Sequence, residues 1–203
     1  MSVITISRQF GAGGRALGEM IAKKLDYQCI DDLIIQELAE KANISTDFVK
    51  SMERTAGGTI SKFTSGMLSR NYIERLVGED KGYMDEHIYV ELLHEVILEF
   101  AKMGNVVLIG RGGQYILHEF DNAYHILLVA DLKSRIKFMQ QFYNISDAKA
   151  AKVVKQGETR RSSLFKKFGK EDYDQPYLYH LVLNMSKLSL EQALKSVIAL
   201  IQN

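Results

Sequence analysis

Three groups of residues have types and spacing suited to holding phosphate. The first is the run Val3-Ile-Thr-Ile-Ser-Arg-Gln-Phe-Gly-Ala-Gly-Gly-Arg-Ala-Leu-Gly18. A strand that turns through glycines into a helix aims backbone N–H groups and the positive end of the helix dipole at one point, where an anion is stabilised. Arg8, Gln9, Gly11, Ala12, Gly13, Gly14, Arg15 and Ala16 are therefore the candidate phosphate-cradling positions. The second group is Gly110-Arg111-Gly112-Gly113, which follows the apolar run 105–109. An arginine flanked by glycines at a strand's carboxyl end suits bidentate phosphate recognition. The third is a basic segment. Residues 132–170 hold eleven Lys and Arg against Asp147 and Glu158, a local charge of +9 that leaves −8 for the remainder. Such a segment repels itself unless anions are near, and beside a phosphate-binding loop it is what a closing lid would need.

Two glycine schemes fit the first run. Gly11, Gly13 and Ala16 satisfy the dinucleotide fingerprint G-x-G-x-x-G/A, and Asp31 lies 20 residues after Gly11. Against it, Arg8-Gln9-Phe10 separate the strand from the first glycine and lengthen the loop. The alternative is a P-loop in which Gly14 stands for the usual lysine and Ala16 for the usual hydroxyl residue. In that scheme the lysine reaches the β- and γ-phosphates and the hydroxyl ligates Mg²⁺, so Arg15 is the nearest residue able to supply charge.

The elements that must position these groups alternate. Residues 3–7 read as a strand, Gly14 to Leu25 as a helix with Leu17, Met20, Ile21 and Leu25 on one face, and Tyr27 to Ile30 as a second strand ending at Asp31-Asp32. Asp32 opens a helix to about Lys41, and Asp85 caps a long one carrying Ile88, Leu92, Val96 and Phe100, closed by Gly104. Residues 105–109 are the most apolar strand, expected to be central and covered on both faces. A short helix to about Glu119, a strand at 124–130, helices capped by Asp131 and Ser146, a strand at 181–183 and a closing helix with a Ser189–Gln192 capping box complete the pattern. Strands alternating with helices predict a parallel sheet covered on both faces. Residues 45–83, rich in Gly, Ser and Thr, read as a helical excursion at the sheet's edge.

The 203 residues carry a net charge of +1, which points to no class of partner, and 46% are apolar, enough for a full core. One cysteine, Cys29, excludes an intrachain disulfide and favours a reducing compartment; in a strand run it reads as a small buried hydrophobe. No apolar run approaches the ~18 residues of a membrane span, and the chain starts straight into a strand, so the cytoplasm is the expected location. His87, Glu91 and His94 share a helical face but lack a further ligand at usual spacing, so no protein metal site is expected. The Tyr173, Tyr177 and Tyr179 group reads as packing beside Pro176, and no platform for nucleic acid accompanies the basic segment.

Ser7-Arg-Gln-Phe-Gly-Ala-Gly-Gly-Arg15, Cys29-Ile-Asp-Asp32, Val106-Val-Leu-Ile-Gly-Arg-Gly-Gly-Gln-Tyr-Ile116 and Leu181-Val-Leu-Asn-Met-Ser186, in that order along nearly the whole chain, resemble the cytidylate kinase-like family of nucleoside monophosphate kinase-related P-loop proteins. The resemblance implies a three-layer α/β P-loop fold with a parallel sheet of about five strands, built as one domain over 1–203 with an acceptor-site excursion at about 45–83 and a basic lid at about 146–170. It implies an ATP-dependent phosphotransferase moving the γ-phosphoryl to a small acceptor such as a nucleoside monophosphate, with Mg²⁺, for which no ligand is identified. Arg15, Arg111, Arg160 and Arg161 would act on the transferring group, the loop from Arg8 to Ala16 would hold the donor, and Asp31, Asp32 and Arg111 would bind the acceptor. Gly112 stands where relatives carry the aspartate of a Gly-Arg-Asp motif, and Gly157 and His180 stand where they often carry acids. The expected partner is a small-molecule nucleotide or phosphate acceptor, with a homodimer compatible and neither nucleic acid nor membrane called for. The alternative functions are a nucleotide-binding regulatory or scaffold protein without transfer, and a dinucleotide enzyme.

Overall fold

The computed structural model describes residues 2–42, 86–170 and 172–202, with 46 and 50 besides. The helical excursion at about 45–83 and the cap at Asp85 thus lie outside the described residues, 46 and 50 apart.

Five strands form one parallel sheet in the order β2-β3-β1-β4-β5: β1 Val3–Arg8, β2 Gln28–Ile30, β3 Val106–Ile109, β4 Ala123–Val129 and β5 Leu181–Asn184. Helices α1 (Gly14–Leu25), α2 (Asp32–Ala42), α3 (Glu86–Met103), α4 (Gly113–Ile116), α5 (Leu132–Tyr143), α6 (Asp147–Lys167) and α7 (Leu190–Gln202) connect and cover it.

Strand pleating sends alternate residues to opposite faces, and each face has its own core. Val3, Ile30, Val106, Leu108 and Ala123 pack with Ile34, Ile35 and Leu38 of α2, Leu92, Leu93, Val96, Ile97 and Phe100 of α3, and Leu164 of α6. Ile4, Ile6, Val107, Ile109, Ile126, Leu128 and Leu183 pack with Leu17 and Ile21 of α1 and Ala193 and Val197 of α7. Each of these fully buried Leu or Ile side chains contributes about 1.5–3 kcal/mol of transfer free energy, which holds α1 rigidly under the loop that precedes it. A smaller cluster of Met139, Ala150 and Val154 joins α5 to α6 and takes in Phe10 from that loop.

The middle strand is β1, not the more apolar β3. Its register runs Val3↔Val106 to Ile6↔Ile109 on one side and Val3↔Ala123 to Arg8↔Leu128 on the other. Thr5 and Ser7 lower its apolarity but are buried all the same; Thr5 Oγ1 meets His125 Nδ1 at 2.8 Å, so internal hydrogen bonding rather than an edge position explains the polar residue. β3 is still paired on both sides and covered on both faces. The expected caps form: Asp131 accepts from Ser134 N–H at 2.7 Å, Ser146 from Lys149 N–H at 3.4 Å, and Ser189 and Gln192 bond reciprocally at 2.9 and 3.2 Å.

The topology has one consequence for chemistry. β2, β3 and β1 are neighbours and parallel, so their carboxyl ends release Asp31, Gly110-Arg111 and Arg8-Gln9 side by side. That edge of an open parallel sheet is where ligands bind.

Candidate functional site

Arg111 leaves β3 in the left-handed conformation, φ +52°, between Gly110 at +75° and Gly112 at +73°. A non-glycine residue there costs about 1–2 kcal/mol, and strain of this kind persists where its surroundings hold it in place. Arg111 Nη1 donates to the Asp31 carbonyl at 2.7 Å and to its carboxylate at 3.1 Å. The two side chains are 11% and 19% exposed, so this is a mostly desolvated pair rather than a surface salt bridge. Asp32, next in the chain, is the first residue of α2.

Arg8 passes its guanidinium against Gly110, where any Cβ would overlap Nη1, and its stem against Gly14, where a Cβ would lie 2.7 Å from Arg8 Cγ. Both glycines are thus explained by the passage of one arginine. Arg8, Arg111, Arg160 and Arg161 line a single cavity of about 280 Å³ with Ser7, Phe10, Asp31, Lys50 and Gly157. Asp31 is the one carboxylate on that wall among the described residues. Ser7 Oγ is buried there, beside the Tyr179 hydroxyl.

The loop itself is pinned at one end. Gln9 N–H donates to Leu128 O at 3.0 Å, and its side-chain oxygen accepts from Ala130 N–H at 2.9 Å. Gly11 and Gly13 take φ +89° and +85°. Gly13 caps α1 with no side-chain hydrogen bond, and the first intrahelical bond runs from Leu17 N–H to Gly13 O. The N–H groups of Gly14, Arg15 and Ala16 therefore belong to the helix's open first turn, which favours an anion. On the other side of the loop, Gly11 and Ala12 line a second cavity of about 310 Å³ with Phe138, Met185, Leu188, Leu190 and Glu191.

Not every expected residue converges. Arg15 pairs with Glu19 one turn along α1 at 3.0 Å, both half exposed, and lines neither cavity. The two lid candidates part company. Arg160 is exposed at the cavity, while the Arg161 side chain is only 9% exposed and donates to both oxygens of Asp174, one contact at 2.9 Å. Arg161 also lies over the Phe165 and Tyr173 rings at 5.1 and 4.9 Å. Burial opposes its charge, but the hydrogen bonds and charge of Asp174, with Glu158, more than offset this and raise its pKa above the ordinary arginine value. Tyr173 stacks on Phe165 at 4.5 Å, Tyr179 is buried, and Tyr177 stands 81% exposed.

Three contributors were not singled out by sequence. Arg135, in the first turn of α5, donates to the Phe10 carbonyl at 3.3 Å and pairs with Glu158 at 3.2 Å. Glu158 also accepts from Phe10 N–H. The Phe10 ring sits on Gly157, where any Cβ would overlap it. A faint signal existed: Glu158 is one of two acids in the basic run, next to a glycine inside a helix. Among the described residues no three His, Cys, Asp or Glu side chains group to hold a metal. Cys29 is half-buried rather than buried; burial, then the nearby Asp31 charge, push its thiol up to about 11, so it is not a nucleophile. No described helix is long and apolar enough to cross a membrane.

The arrangement presents convergent guanidinium groups, an open helix N-terminus and one partnered carboxylate. Chemically, such a set of donors favours a bound anion on the β1–β3 side of the loop.

Among solved structures, the chain is similar to an uncharacterized protein from Eubacterium ventriosum, with 15% identity, 99% of this chain and 98% of that chain covered, and a TM-score of 0.69. It is similar to shikimate kinase from Bacteroides thetaiotaomicron, at 15% identity with 100% and 99% covered and a TM-score of 0.54, and to a gluconokinase from Sinorhizobium meliloti, at 11% identity with 99% and 91% covered and a TM-score of 0.52. At these identities the likeness shows the fold, that of the P-loop kinases. No curated protein matches the sequence significantly. The model of the cytidylate kinase-like family matches residues 3–187, a span that takes in the glycine loop, the Gly-Arg strand end and the basic helix, and the chain belongs to that family.

Proposed function

We propose that this chain is an ATP-dependent phosphotransferase that moves the γ-phosphoryl group to a small phosphate-bearing acceptor such as a nucleoside monophosphate. The observation that carries the reading is the convergence of Arg8, Arg111, Arg160 and Arg161 on one cavity beside the glycine loop. Arg111 is held by Asp31 and Arg161 by Asp174, while Arg160 stands exposed at the cavity, so guanidinium N–H groups line the space where a phosphate would lie. In this reading Arg111, held by Asp31, grips the acceptor phosphate, and the loop from Gly11 to Ala16 with the open turn of α1 holds the donor phosphates. The apolar cavity beside Gly11 and Ala12 accommodates the donor's base. Arg160, exposed at the cavity, is the lid arginine able to move onto the transferring group; Arg161 holds the lid helix to Asp174. Catalysis is positioning and charge neutralisation, with no covalent intermediate on the protein.

Mg²⁺ fits only as an ion shared with the substrate. Asp31, one of whose carboxylate oxygens pairs with Arg111, is the carboxylate lining the cavity among the described residues, and Mg²⁺ is ordinarily held by one or two carboxylates plus substrate phosphates. When bound it would neutralise charge between the β- and γ-phosphates. The test is a coupled assay for ADP formation with Mg·ATP over a panel of nucleoside monophosphates and other small phosphorylated acceptors. Acceptor-dependent ADP formation supports the reading, and none with any acceptor from a folded protein counts against it.

A second reading is nucleotide binding without transfer. The observation favouring it is the loop itself, where Gly14 and Ala16 replace the lysine and hydroxyl residue. Calorimetry showing tight Mg·ATP binding with no turnover would select it.

A further inference from the structure

The glycine loop is in contact with an anion of the chain's own. Glu158 Oε1 accepts the Phe10 N–H and lies 3.2 Å from Arg135 Nη1, and Oε2 lies 3.9 Å from Arg161 Nη1. One carboxylate thus takes a loop N–H and faces two guanidinium groups. A phosphate oxygen would seek the same set of donors. The set is also incompletely used. Arg135 Nη1 reaches back to the Phe10 carbonyl, but its Nε is buried without a hydrogen-bond partner. A buried donor left unpaired costs free energy, and a carboxylate with two oxygens already engaged does not relieve it.

The contact is also built to be local. Gly157 lets the Phe10 ring lie directly on the backbone of α6, which brings the neighbouring Glu158 onto the loop. The carboxylate is 31% exposed, so it has solvent to move into. Arg135 is 13% exposed and stays under the loop, its Cβ 3.1 Å from where a Cβ on Gly11 would be.

We propose that Glu158 is a displaceable internal counter-ion: its carboxylate occupies an anion place between the loop and the Arg135–Arg161 pair, and a polyphosphate binds by taking over that place. Arg135 then supplies the charge that the loop lacks at Gly14. This rests on the reading that the loop binds phosphate, and it adds which residues gate that binding. A polyphosphate brings more negative charge and more acceptor oxygens than the carboxylate it replaces, enough to engage the idle Nε as well.

The experiment is calorimetric titration of the full chain with inorganic pyrophosphate, comparing the unchanged protein with Glu158→Gln. Glutamine keeps an acceptor for Phe10 N–H and removes the competing charge. Pyrophosphate binding about tenfold tighter in Glu158→Gln is expected, with a larger rise in Tm on saturation. Glu119→Gln, a change at an exposed acid remote from the loop, controls for net charge and should leave affinity within about twofold. Equal or weaker binding in Glu158→Gln, or an equal gain in Glu119→Gln, overturns the proposal. Should Glu158→Gln not fold, Glu158→Asp carries the test, because the shorter side chain keeps the charge but withdraws it from Phe10 N–H; tighter pyrophosphate binding supports the proposal and unchanged binding overturns it. Turnover plays no part in this readout. Tighter binding in Glu158→Gln without transfer to any acceptor would therefore defeat the proposed activity and leave the counter-ion standing. Binding of pyrophosphate to neither protein would defeat the counter-ion together with the phosphate-binding loop.

Discussion

The Arg111 guanidinium holds Asp31 by both its carbonyl and its carboxylate, at 2.7 and 3.1 Å, and so ties the end of β3 to the end of β2. The arginine makes these bonds from a left-handed backbone. Its position is therefore determined twice, once by the strained turn and once by the ion pair, and it is aimed into the cavity shared with Arg8 and Arg160.

Glycine at this position separates chemistry from folding. Arg111→Ala leaves the Asp31 carboxylate mostly buried without its partner and keeps the left-handed strain, and is expected to lose about 2 kcal/mol of stability. Arg111→Gly relieves the strain and is expected to be about 1 kcal/mol more stable than the alanine variant. Both are expected to lose transfer by at least about 100-fold. Urea unfolding beside steady-state kinetics checks this; a rate loss no larger than the stability loss accounts for would make Arg111 structural.

Gly157 is predicted to be intolerant of a side chain for a reason visible only in three dimensions. Alanine is ordinarily better in a helix by about 1 kcal/mol, yet here its Cβ would overlap the Phe10 ring. Gly157→Ala is expected to lose about 2 kcal/mol. In the double variant with Phe10→Ala the combined loss should fall short of the sum by at least about 1 kcal/mol. Thermal unfolding of the four proteins of the cycle measures the coupling, and strict additivity would show that the ring and the helix backbone do not compete for the same space.

His125 predicts an acid limb in stability. Burial, with a smaller effect of neighbouring His180, lowers its pKa to about 4. The native ring stays neutral while the unfolded chain binds a proton near pH 6.5, so stability is full above that value. It is lost as pH falls from about 6.5 towards 4, by about 3 kcal/mol in all. Chemical unfolding at steps across this window should show the decline in the unchanged protein and a flatter profile in His125→Asn. Parallel profiles would mean that His125 does not titrate between the two states.

Much of this architecture is readable from the chain. Period-two β-branched runs, Asp131 and Ser146 as caps and the Ser189–Gln192 box each specify local structure through local chemistry, and the fold reproduces them. The glycine loop and Gly110-Arg111 are legible because their residue types are unusual beside strand ends. The inner contacts are not. Phe10 and Glu158 are 148 residues apart and Arg135 and Phe10 are 125 apart, so nothing local marks them as partners. Arg160 and Arg161 are adjacent in sequence and both line the cavity, yet helical rotation leaves one in solvent and turns the other inward onto Asp174 and the Phe165–Tyr173 stack. The greater apolarity of 105–109 likewise suggested the middle of the sheet, which β1 takes because its Thr5 is hydrogen-bonded within the core.

The central claim is that the cavity beside the glycine loop receives an acceptor to which phosphate is transferred. Its most direct test follows the label from γ-labelled Mg·ATP into acceptor, over a panel of nucleoside monophosphates and other small phosphorylated compounds, with the unchanged protein and Arg111→Gly in parallel. Label is predicted in at least one acceptor, saturably, and reduced at least about 100-fold in the variant. A folded protein that binds Mg·ATP yet places label in none of them, or only in water, would contradict the account.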